Sequence, residues 1–594
     1  MALSDTYFGL KLLDILVIVG YFATVMVIGF WASGKVHNDE DFFLGGRKFG
    51  KGLLVMHWLC TGTHSEQAVQ VTGATARVGL GGIWYQWMYL FSTPFYWMIA
   101  PMVRRVRVIT TGDLFRIRYG KGLELVYSVV ALTYLILGIA MLLRGAGAAI
   151  SGATGGEVPT ETSVIFLSIL FSTYIMAGGL MAAAYTDFLQ GVMIIVLSFL
   201  LVPAGLNVIG GMAALHTTLD PGMLDVAAPA GAKEGNPLFI VAMSLLGLVG
   251  IVAQPHVMTS TGSGKTETEA RVGMCYGNFI KRLLTIAWAL TGLIAIVVFP
   301  EVFEGLDRTG PEAREASEKL FGRAIQTLLG DGWRGLMIAC IVAGVTSAET
   351  IMVVGSGLMT RNFYAHLVRQ PTPRALLWAG RGSAALMLVA GIVAANVAES
   401  VTQLYTASIQ VIALMGPAVW LGVTWRRANP AGAWASVIAG LLVWGSTALP
   451  LRLVECLPSV VPLLEAARGL SDAERILLML TAQFGALIGV SLCTRAQPDS
   501  LLNPFFARLL TPVGREAEFA LPGAPTEHAA EATLGLHGAG LDYTRVADMA
   551  SPRWRRLGFD IPRMTLFDIG GFIAAWCMVL GLIGLLMWLA RLGA

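Results

Sequence analysis

The chain has 594 residues, of which 55% are hydrophobic and 13% are charged, and its formal net charge is +3 at pH 7. Soluble globular proteins contain about 25% charged residues, so this composition excludes an ordinary soluble domain and predicts a protein that is solvated by lipid. The small positive charge is accounted for by the loops between apolar segments, so it does not indicate nucleic-acid binding.

Apolar runs recur along the whole chain, each close to the roughly 20 residues that a helix needs to cross a bilayer. They predict an all-α polytopic membrane protein with about fourteen spans. The spans lie near 12–33, 50–76, 81–103, 123–150, 161–178, 182–206, 237–258, 273–299, 333–360, 378–397, 402–424, 431–449, 475–493 and 567–590.

Lysine and arginine cluster in alternate loops, which sets the expected orientation because cytoplasmic loops carry the excess of positive charge. We therefore expect a multi-pass protein of the plasma membrane, or of the inner membrane in a Gram-negative bacterium. Its amino terminus lies outside and residues 494–566 are cytoplasmic. That polar, Pro- and Gly-rich segment predicts partial disorder or a regulatory appendage. The basic clusters are 35–51, 104–121, 265–282, 361–381, 426–427 and the residues from 495 onward.

The second span contains the sequence CTGTHSEQ, with Gly62, His64 and Glu66 near its middle. A continuous lipid-facing helix would not carry this density of polar groups. The pattern predicts an unwound helix that lines a cavity, where free backbone carbonyls can hold a cation. A buried polar seam between helices is the alternative interpretation.

The seventh span contains GLVGIVAQPH at 247–256, where glycines and a proline interrupt the helix. Proline inside a helix removes one backbone hydrogen bond and frees a carbonyl. This interruption lies five spans after the interrupted second span. Two broken helices at corresponding places in two five-helix halves predict an inverted-repeat transporter.

Two further charged residues lie within predicted spans. Asp187 in the sixth span is either a functional carboxylate or an aspartate at a helix start, where the helix dipole favours an anion. Arg144 in the fourth span has three interpretations. It extends to the membrane surface, it pairs with a buried carboxylate such as Glu66 or Glu349, or it binds an anionic substrate.

The stretch STGSGKTET at 260–268 resembles a phosphate-binding loop, but Thr259 stands where that motif requires a glycine, and no strand precedes it. We expect a turn after the seventh span and no nucleotide binding. No set of nucleophile, base and orienting residues is visible, so the sequence predicts no enzymatic activity.

Several motifs together resemble the sodium/solute symporter family, which includes sodium/proline, sodium/sialic acid and sodium/glucose symporters. The resemblance covers about residues 8–495. The motifs are DFFLGGR at 41–47, GGLMAAAYTDFLQG at 178–191, QPH at 254–256, AGVTSAETIMVVGSGLMTRNFY at 343–364 and GPAVWLGVTW at 416–425.

This resemblance implies a LeuT-type fold, with one leading helix, a five-plus-five inverted repeat and about three trailing helices. The second, seventh and ninth spans are then core helices 1, 6 and 8. The implied units are a transporter domain at 1–493 with repeat halves near 50–206 and 237–424, the segment 494–566, and a final helix at 567–590.

The family's main sodium site lies between core helices 1 and 8. Matching the motifs residue by residue implies that the carbonyl groups of Cys60, Thr63 and Ala343 and the hydroxyl groups of Thr346 and Ser347 hold sodium here. Sodium is a hard cation that prefers oxygen ligands. Positions 343, 346 and 347 share one helical face. Hydroxyls bonded to their own preceding helical turn are the alternative.

Some members hold a second sodium ion on the aspartate of core helix 5, which matches Asp187, together with hydroxyls that match Thr346 and Thr350. Glu349 stands where the pattern has a hydroxyl, and Gly62 stands where the proline branch has an aspartate. Glu349 either completes a cation site with Asp187 and Thr350, or it carries a proton or pairs with Arg144.

The resemblance implies sodium-coupled import, by alternating access, of a small polar solute of the carboxylate, amino acid or sugar class. The expected partners are sodium ions, this solute and the bilayer. The alternatives are a transporter-like sensor without coupled uptake and a proton-coupled symporter that uses Glu349. Arg144 matches the arginine that binds the substrate carboxylate in the sialic acid branch. The other candidate solute ligands are Thr61, His64, Glu66, Gln67, Gln86, Gln254 and Gln410.

Overall fold

The fold is helical throughout the part of the chain that the computed structural model describes. Two short strands, β1 (Thr6–Tyr7) and β2 (Leu10–Lys11), pair antiparallel just before the first helix. The described residues are 6–33, 47–175, 179–228, 232, 234–346, 349–364, 368, 372–448, 469–521 and 541–593.

Helices occupy the first six predicted spans. The loop after the third span contains a further helix, which begins at a capping box formed by Thr110 and Asp113. These helices are α1 (Leu12–Ser33), α2 (Lys51–Thr61), α3 (Ser65–Val78), α4 (Trp84–Trp87), α5 (Thr93–Val106), α6 (Thr111–Tyr119), α7 (Lys121–Ala153), α8 (Thr160–Ile175) and α9 (Gly179–Ile209).

The seventh to twelfth predicted spans are also helical, and short helices lie in the connections before the seventh and after the eighth. These helices are α10 (Met212–Thr218), α11 (Pro237–Ile251), α12 (Pro255–Gly262), α13 (Glu267–Val298), α14 (Pro311–Glu318), α15 (Leu320–Leu328), α16 (Trp333–Thr346), α17 (Glu349–Leu358), α18 (Pro373–Val397), α19 (Val401–Ala413), α20 (Gly416–Thr424) and α21 (Pro430–Ala448).

Five helices follow, of which the first and the last match the two remaining spans. Among the described residues, seven segments are long and apolar enough to cross a membrane, and the bent pair of α11 and α12 would make an eighth. The five helices are α22 (Asp472–Cys493), α23 (Asp499–Leu510), α24 (Tyr543–Val546), α25 (Pro552–Arg555) and α26 (Leu566–Ala590).

Both predicted interruptions are confirmed. Helix α2 ends at Thr61 and α3 begins at Ser65, so three residues separate the two halves of the second span. Helices α11 and α12 meet at a bend of 58°, with Pro255 at the start of α12, where proline costs no hydrogen bond.

Helix α13 lies at the centre of the bundle. In its most apolar stretch 83% of the residues are buried, against 17% for α26. Two glycines allow the close approach of neighbouring helices. A Cβ atom at Gly277 would lie 2.7 Å from the carbonyl oxygen of Val55 in α2, and one at Gly292 would lie 2.5 Å from that of Thr72 in α3. Small residues at such contacts allow helix backbones to pack closely in lipid.

The segment after α22 packs against the helical domain, so disorder is wrong for its described residues 494–521 and 541–566, and the regulatory appendage stays a prediction. The guanidinium of Arg107 donates to the carboxylate of Glu516 at 2.6 Å and to the carbonyl oxygens of Arg508 and Thr511 at 3.2 Å each. Arg118 in α6 donates to the side-chain oxygen of Gln497 at 2.5 Å. Arginines of the helical domain thus hold this segment in place.

We expect Glu516→Ala to destabilise the protein by about 1–3 kcal/mol, because it leaves the buried guanidinium of Arg107 without its carboxylate partner. The thermal melting temperature of the purified protein measures this effect. Glu518→Ala is the matched control, since Glu518 makes an exposed ion pair with Arg515 and its loss should leave the melting temperature unchanged. Equal melting temperatures for both variants would contradict the role assigned to Arg107.

Candidate functional site

A cavity of about 90 Å³ lies beside the break between α2 and α3. The break explains its position, because the unwound backbone leaves polar groups that must face a cavity or a partner rather than lipid. Five of the residues predicted to contact a solute line this cavity. They are Thr61, His64, Glu66, Gln67 and Gln254.

The cavity also has polar walls that the sequence analysis did not select. Four tyrosines surround it, and α13 contributes an asparagine and two cationic side chains, while α12 contributes a histidine. These residues are Tyr89, Tyr96, Tyr134, Tyr405, His256, Asn278, Lys281 and Arg282.

Lys281 lies at the break itself. Its ammonium group donates to the carbonyl oxygen of Gly62, and the side-chain amide of Gln67 donates to the same oxygen at 3.0 Å. The carbonyl that the break frees at Gly62 is therefore occupied by a cationic side chain of the protein, and a bound cation at the break stays a prediction.

The assignment of Lys281 and Arg282 to a basic loop is wrong. Both lie in the interior of α13, where their exposed fractions are 5% and 1%. The signal was available, since both positions fall inside the predicted span 273–299 and charged residues within a span usually face a pathway or a partner. Both residues also continue the basic run that starts at Lys265, so they resemble loop charges.

Arg282 is held by neutral groups. Its guanidinium donates to the carbonyl oxygen of Gln86 at 3.2 Å and lies 5.4 Å from the ring centroid of Tyr89. Within the described part of the chain, no carboxylate oxygen lies within 4.0 Å of the charged nitrogens of Lys281 or Arg282. Two cationic side chains therefore line the cavity without an ion-pair partner among the described residues, although Glu66 lines the same cavity and attracts Lys281.

Glu66 is the carboxylate among the cavity's lining residues. It is 3% exposed, and its Oε2 atom has no hydrogen-bond partner among the described residues. The side chain is pressed against α7, where a Cβ atom at Gly145 would lie 2.3 Å from that of Glu66. Among the described residues, two cations and one carboxylate line the cavity, which is an excess of positive charge.

Arg144 does not line the cavity. Its guanidinium pairs with Glu318 of α14 at 3.2 Å and donates to the carbonyl oxygens of Ala398 and Glu399 at 2.8 Å each. Of the earlier alternatives, pairing with a buried carboxylate holds, but the partner is Glu318 rather than Glu66. This arrangement ties α7 to α14 and to the connection between α18 and α19.

Two predicted glutamines also lie elsewhere. Gln86 is fully buried, and its amide donates to the side-chain oxygen of Gln70 at 2.8 Å. Gln410 is not among the residues that line the cavity, whereas Ser408 and Tyr405 of the same helix are. The face of α19 that carries Tyr405 and Ser408 is therefore the one that lines the cavity.

The start of α3 lies against α16, as the implied sodium site requires. A Cβ atom at Gly344 would lie 2.9 Å from the backbone nitrogen of Ser65, and the imidazole of His64 hydrogen-bonds the backbone of Gly344. A second cavity of about 30 Å³ lies there, lined by Thr63, Ser65 and Gly344. The hydroxyl oxygens of Thr63 and Ser65 are buried and have no hydrogen-bond partner among the described residues.

The proposed carbonyl ligands have different surroundings. The Cys60 carbonyl accepts hydrogen bonds from the backbone N–H of Gly62 and, at 3.2 Å, from that of Thr63. In this conformation, therefore, a cation at Cys60 would have to displace one of them. Ala343 is fully buried in α16. Ser347 and the side chains of Thr346, Glu349 and Thr350 lie outside the described residues.

Asp187 lies in the third turn of α9, so the helix-start interpretation is wrong. Its carboxylate oxygen is 2.8 Å from Nδ1 of His57, whose Nε2 atom is 3.1 Å from the hydroxyl of Ser260. The thiol of Cys60 donates to the backbone carbonyl of Asp187 at 3.0 Å. Asp187 thus connects α9 to α2 and, through His57, to α12.

Sequence reasoning missed His57. Its position inside an apolar stretch was the available signal, because an isolated ionisable residue in a span usually has a partner. The side chain is fully buried, and its contacts join three helices that are distant in sequence. The partner is identified only by the packing of α2 on α9.

Comparison with known proteins places the chain among transporters. A family model described as the sodium:solute symporter family matches residues 42–440. The sodium/glucose cotransporter of Vibrio parahaemolyticus is 22% identical over 472 residues, which cover 74% of this chain and 86% of the relative. The sodium/pantothenate symporter of Escherichia coli is 25% identical over 285 residues, which cover 46% of this chain and 58% of the relative.

The fold is similar to that of a Na⁺-coupled sialic acid symporter solved in a substrate-bound, outward-open state. The TM-score is 0.65 at 15% identity, and the alignment covers 82% of this chain and 99% of that chain. This similarity confirms the LeuT-type fold class. Because the family model matches well over half of the residues, this chain belongs to the sodium:solute symporter family.

Proposed function

We propose that this protein uses the sodium gradient to import a small polar solute that carries an acidic group. Membership of the sodium:solute symporter family makes it a sodium-coupled symporter of small solutes. The observation that supports the acidic solute is the placement of Lys281 and Arg282 at the cavity without a carboxylate partner.

The charge of the cavity gives the physical reason. Buried charges are costly unless they are paired or fully hydrogen-bonded. Carbonyl oxygens accept hydrogen bonds from Lys281 and Arg282, which lowers the free-energy cost of burying their charges. A solute carboxylate would lower this cost further by supplying the opposite charge. Tyr89, Tyr96 and Gln254 add hydrogen-bonding groups that suit further polar atoms of the solute.

We propose that sodium binds between the α2–α3 break and α16, through the carbonyls of Cys60, Thr63 and Ala343 and the hydroxyls of Thr346 and Ser347. Two observations support this position. The start of α3 lies against Gly344, and the hydroxyls of Thr63 and Ser65 are buried there without partners among the described residues. Oxygen atoms of this kind suit a hard cation.

His64 provides a physical link between the two sites. It lines both the larger cavity and the smaller one, and its imidazole bonds the backbone of Gly344. A cation that draws the start of α3 toward α16 would also fix His64 at the solute cavity. Coupling requires such a difference in contacts between states, since a ligand shifts only equilibria whose states it binds unequally.

We place the transporting unit in residues 1–493, followed by a cytoplasmic element at 494–566 and a final membrane helix at 567–590. The expected membrane is the plasma membrane, or the inner membrane in a Gram-negative bacterium, with the amino terminus outside. The alternation of basic loops supports this orientation, and moving Lys281 and Arg282 from a loop into α13 leaves the other clusters in place.

The decisive experiment is a thermal-shift screen of small carboxylates, amino acids and sugars against the purified protein, with and without sodium. We expect the acid-bearing solutes to raise the melting temperature only when sodium is present. A solute found this way should then accumulate in proteoliposomes under an inward sodium gradient. Binding without sodium dependence and without accumulation would instead support a transporter-like sensor.

We expect Thr346→Ala and Ser347→Ala each to raise the sodium concentration for half-maximal uptake about fivefold or more. Removal of one neutral oxygen ligand costs about 1 kcal/mol. Thr360→Ala is the matched control, because the hydroxyl of Thr360 donates to the carbonyl of Ser356, four residues earlier in the chain, at 2.7 Å. If sodium dependence is unchanged in both site variants, the assignment of this site is wrong.

We expect Lys281→Gln to raise the KM for an acid-bearing solute about tenfold or more, since a hydrogen bond to a charged group contributes about 1.5–3 kcal/mol. Arg144→Gln should leave KM unchanged, because Arg144 pairs with Glu318 away from the cavity. Uptake measured against solute concentration at saturating sodium separates the two. If Lys281→Gln raises the KM for a neutral sugar as strongly as the KM for an acid, the proposal of an acid-bearing solute is wrong.

Asp187 supports a second candidate, in which a further cation or a proton is carried. The buried pair with His57 offers a carboxylate and an imidazole 2.8 Å apart, either of which can hold a proton. In the cation version, Glu349 and Thr350 complete the site with Asp187. In the proton version, Glu349 or the Asp187–His57 pair carries the proton.

We expect Asp187→Asn to lower uptake about tenfold or more, because it removes a charged hydrogen-bonding partner. Titrations of sodium and of pH in the variant distinguish the versions. A shallower sodium dependence indicates a second sodium ion, and loss of pH dependence indicates a proton. Glu301→Gln, which alters an exposed ion pair with Arg323, should change neither. If uptake by Asp187→Asn depends on sodium and on pH as in the wild type, Asp187 carries neither a second cation nor a proton.

A further inference from the structure

Residues 547–564 form a closed loop, which we call the arginine loop, immediately before the last membrane helix. The backbone N–H of Ser551 donates to the carbonyl of Ile561 at 2.8 Å, and that of Arg563 donates to Met549 at 2.9 Å. These bonds bring the two ends of the loop together. Arg563 is thereby placed beside Arg555 and Arg556, although six residues separate it from Arg556.

One face of the arginine loop is fixed to the helical domain at the corner between α20 and α21. The carboxylate of Asp560 pairs with Arg426 at 2.9 Å, and the backbone N–H of Asp560 donates to Thr424 at 2.9 Å. The ring of Phe559 stacks on Trp425 with centroids 6.1 Å apart. These contacts hold the arginine loop against the helical domain.

The other face is an open cavity of about 290 Å³, and the charged residues that line it are Arg555, Arg556, Arg563 and Asp548. In the described part of the chain, no ion pair joins these three arginines to a carboxylate. The Nη1 of Arg555 donates to the carbonyl of Ala547 at 3.3 Å, and the Nε of Arg563 donates to that of Ala550 at 3.2 Å. Both guanidinium groups are thus positioned by backbone contacts, and further N–H donors remain for a ligand.

Exposed apolar side chains adjoin this cationic face. Trp554 is 48% exposed, Leu557 is 65% exposed and Met564 is 56% exposed. Helix α26 begins at Leu566, so the three residues from Arg563 reach at most about 11 Å to the membrane helix. Arginine and tryptophan at the end of a membrane helix are typical of the headgroup layer.

We propose that the arginine loop binds the phosphate headgroup of an anionic phospholipid, with Arg555, Arg556 and Arg563 around the phosphate and Trp554, Leu557 and Met564 at the acyl boundary. Guanidinium groups bind phosphate oxygens through paired N–H donors. The adjoining apolar side chains favour a lipid over a free anion, because they gain from burial in the bilayer. The position before α26 keeps the cavity at the height where such headgroups lie.

The experiment uses the full chain in nanodiscs of phosphatidylcholine, with and without phosphatidylglycerol, and counts retained phosphatidylglycerol by native mass spectrometry. An arginine near a membrane surface contributes about fivefold to binding. The combined Arg555→Gln, Arg556→Gln and Arg563→Gln variant should therefore retain at least tenfold less phosphatidylglycerol. Arg545→Gln is the matched control, since this exposed arginine of the same segment does not line the cavity, and retention should be unchanged.

The melting temperature in phosphatidylcholine alone shows whether the combined variant is folded, and it should equal that of the wild type. If that variant is unstable, Arg563→Lys keeps the charge but loses the paired donors, and retention should fall while stability is kept. Unchanged retention in the variants overturns the proposal. Equal stabilisation of the wild type by inorganic phosphate or by an acidic peptide, in place of the lipid, also overturns it.

Discussion

The break between α2 and α3 is the feature on which the candidate site depends. A backbone that leaves the helix inside a membrane must find other partners for its polar groups, because lipid offers none. At Gly62 those partners are the ammonium of Lys281 and the amide of Gln67. The same contact brings the cationic face of α13 to the break, so the contact that satisfies the backbone also forms a wall of the cavity that we propose for the solute.

The two halves of the broken helix have different partners, which suits a protein that must change shape. The first half is tied to α9 and α12, because His57 lies between Asp187 and Ser260. The second half begins against α16, where His64 bonds the backbone of Gly344. A cation at the sodium site that we propose would therefore act on the α3–α16 contact while α2 keeps its own partners, and His64, which lines both cavities, would transmit the change to the larger one.

The helices, both interruptions and five of the residues that line the cavity could be predicted from the sequence. The reason is that the length of an apolar run, and polar residues inside such a run, are local signals. Partnerships were not predictable in the same way. Arg144 and its partner Glu318 are 174 positions apart, and only the packing of α7 on α14 brings them together. Lys281 and Arg282 were misassigned for a different reason. They continue the basic run that begins at Lys265, although they lie inside the predicted span 273–299.

The fate of the arginines shows why charge alone does not identify a binding residue. Arg107, Arg118 and Arg144 are all directed to carbonyl oxygens and side chains that join distant segments, so they are structural ties. Polar composition predicted partial disorder or a regulatory appendage at 494–566, but such ties supply partners for carbonyl and carboxylate oxygens of its described part, which lowers the cost of ordering that part. A cation becomes a candidate ligand-binding group when the fold positions it and places no described carboxylate oxygen within ion-pairing distance of it. Lys281 meets this condition inside the bundle, and Arg563 meets it at the end of α26.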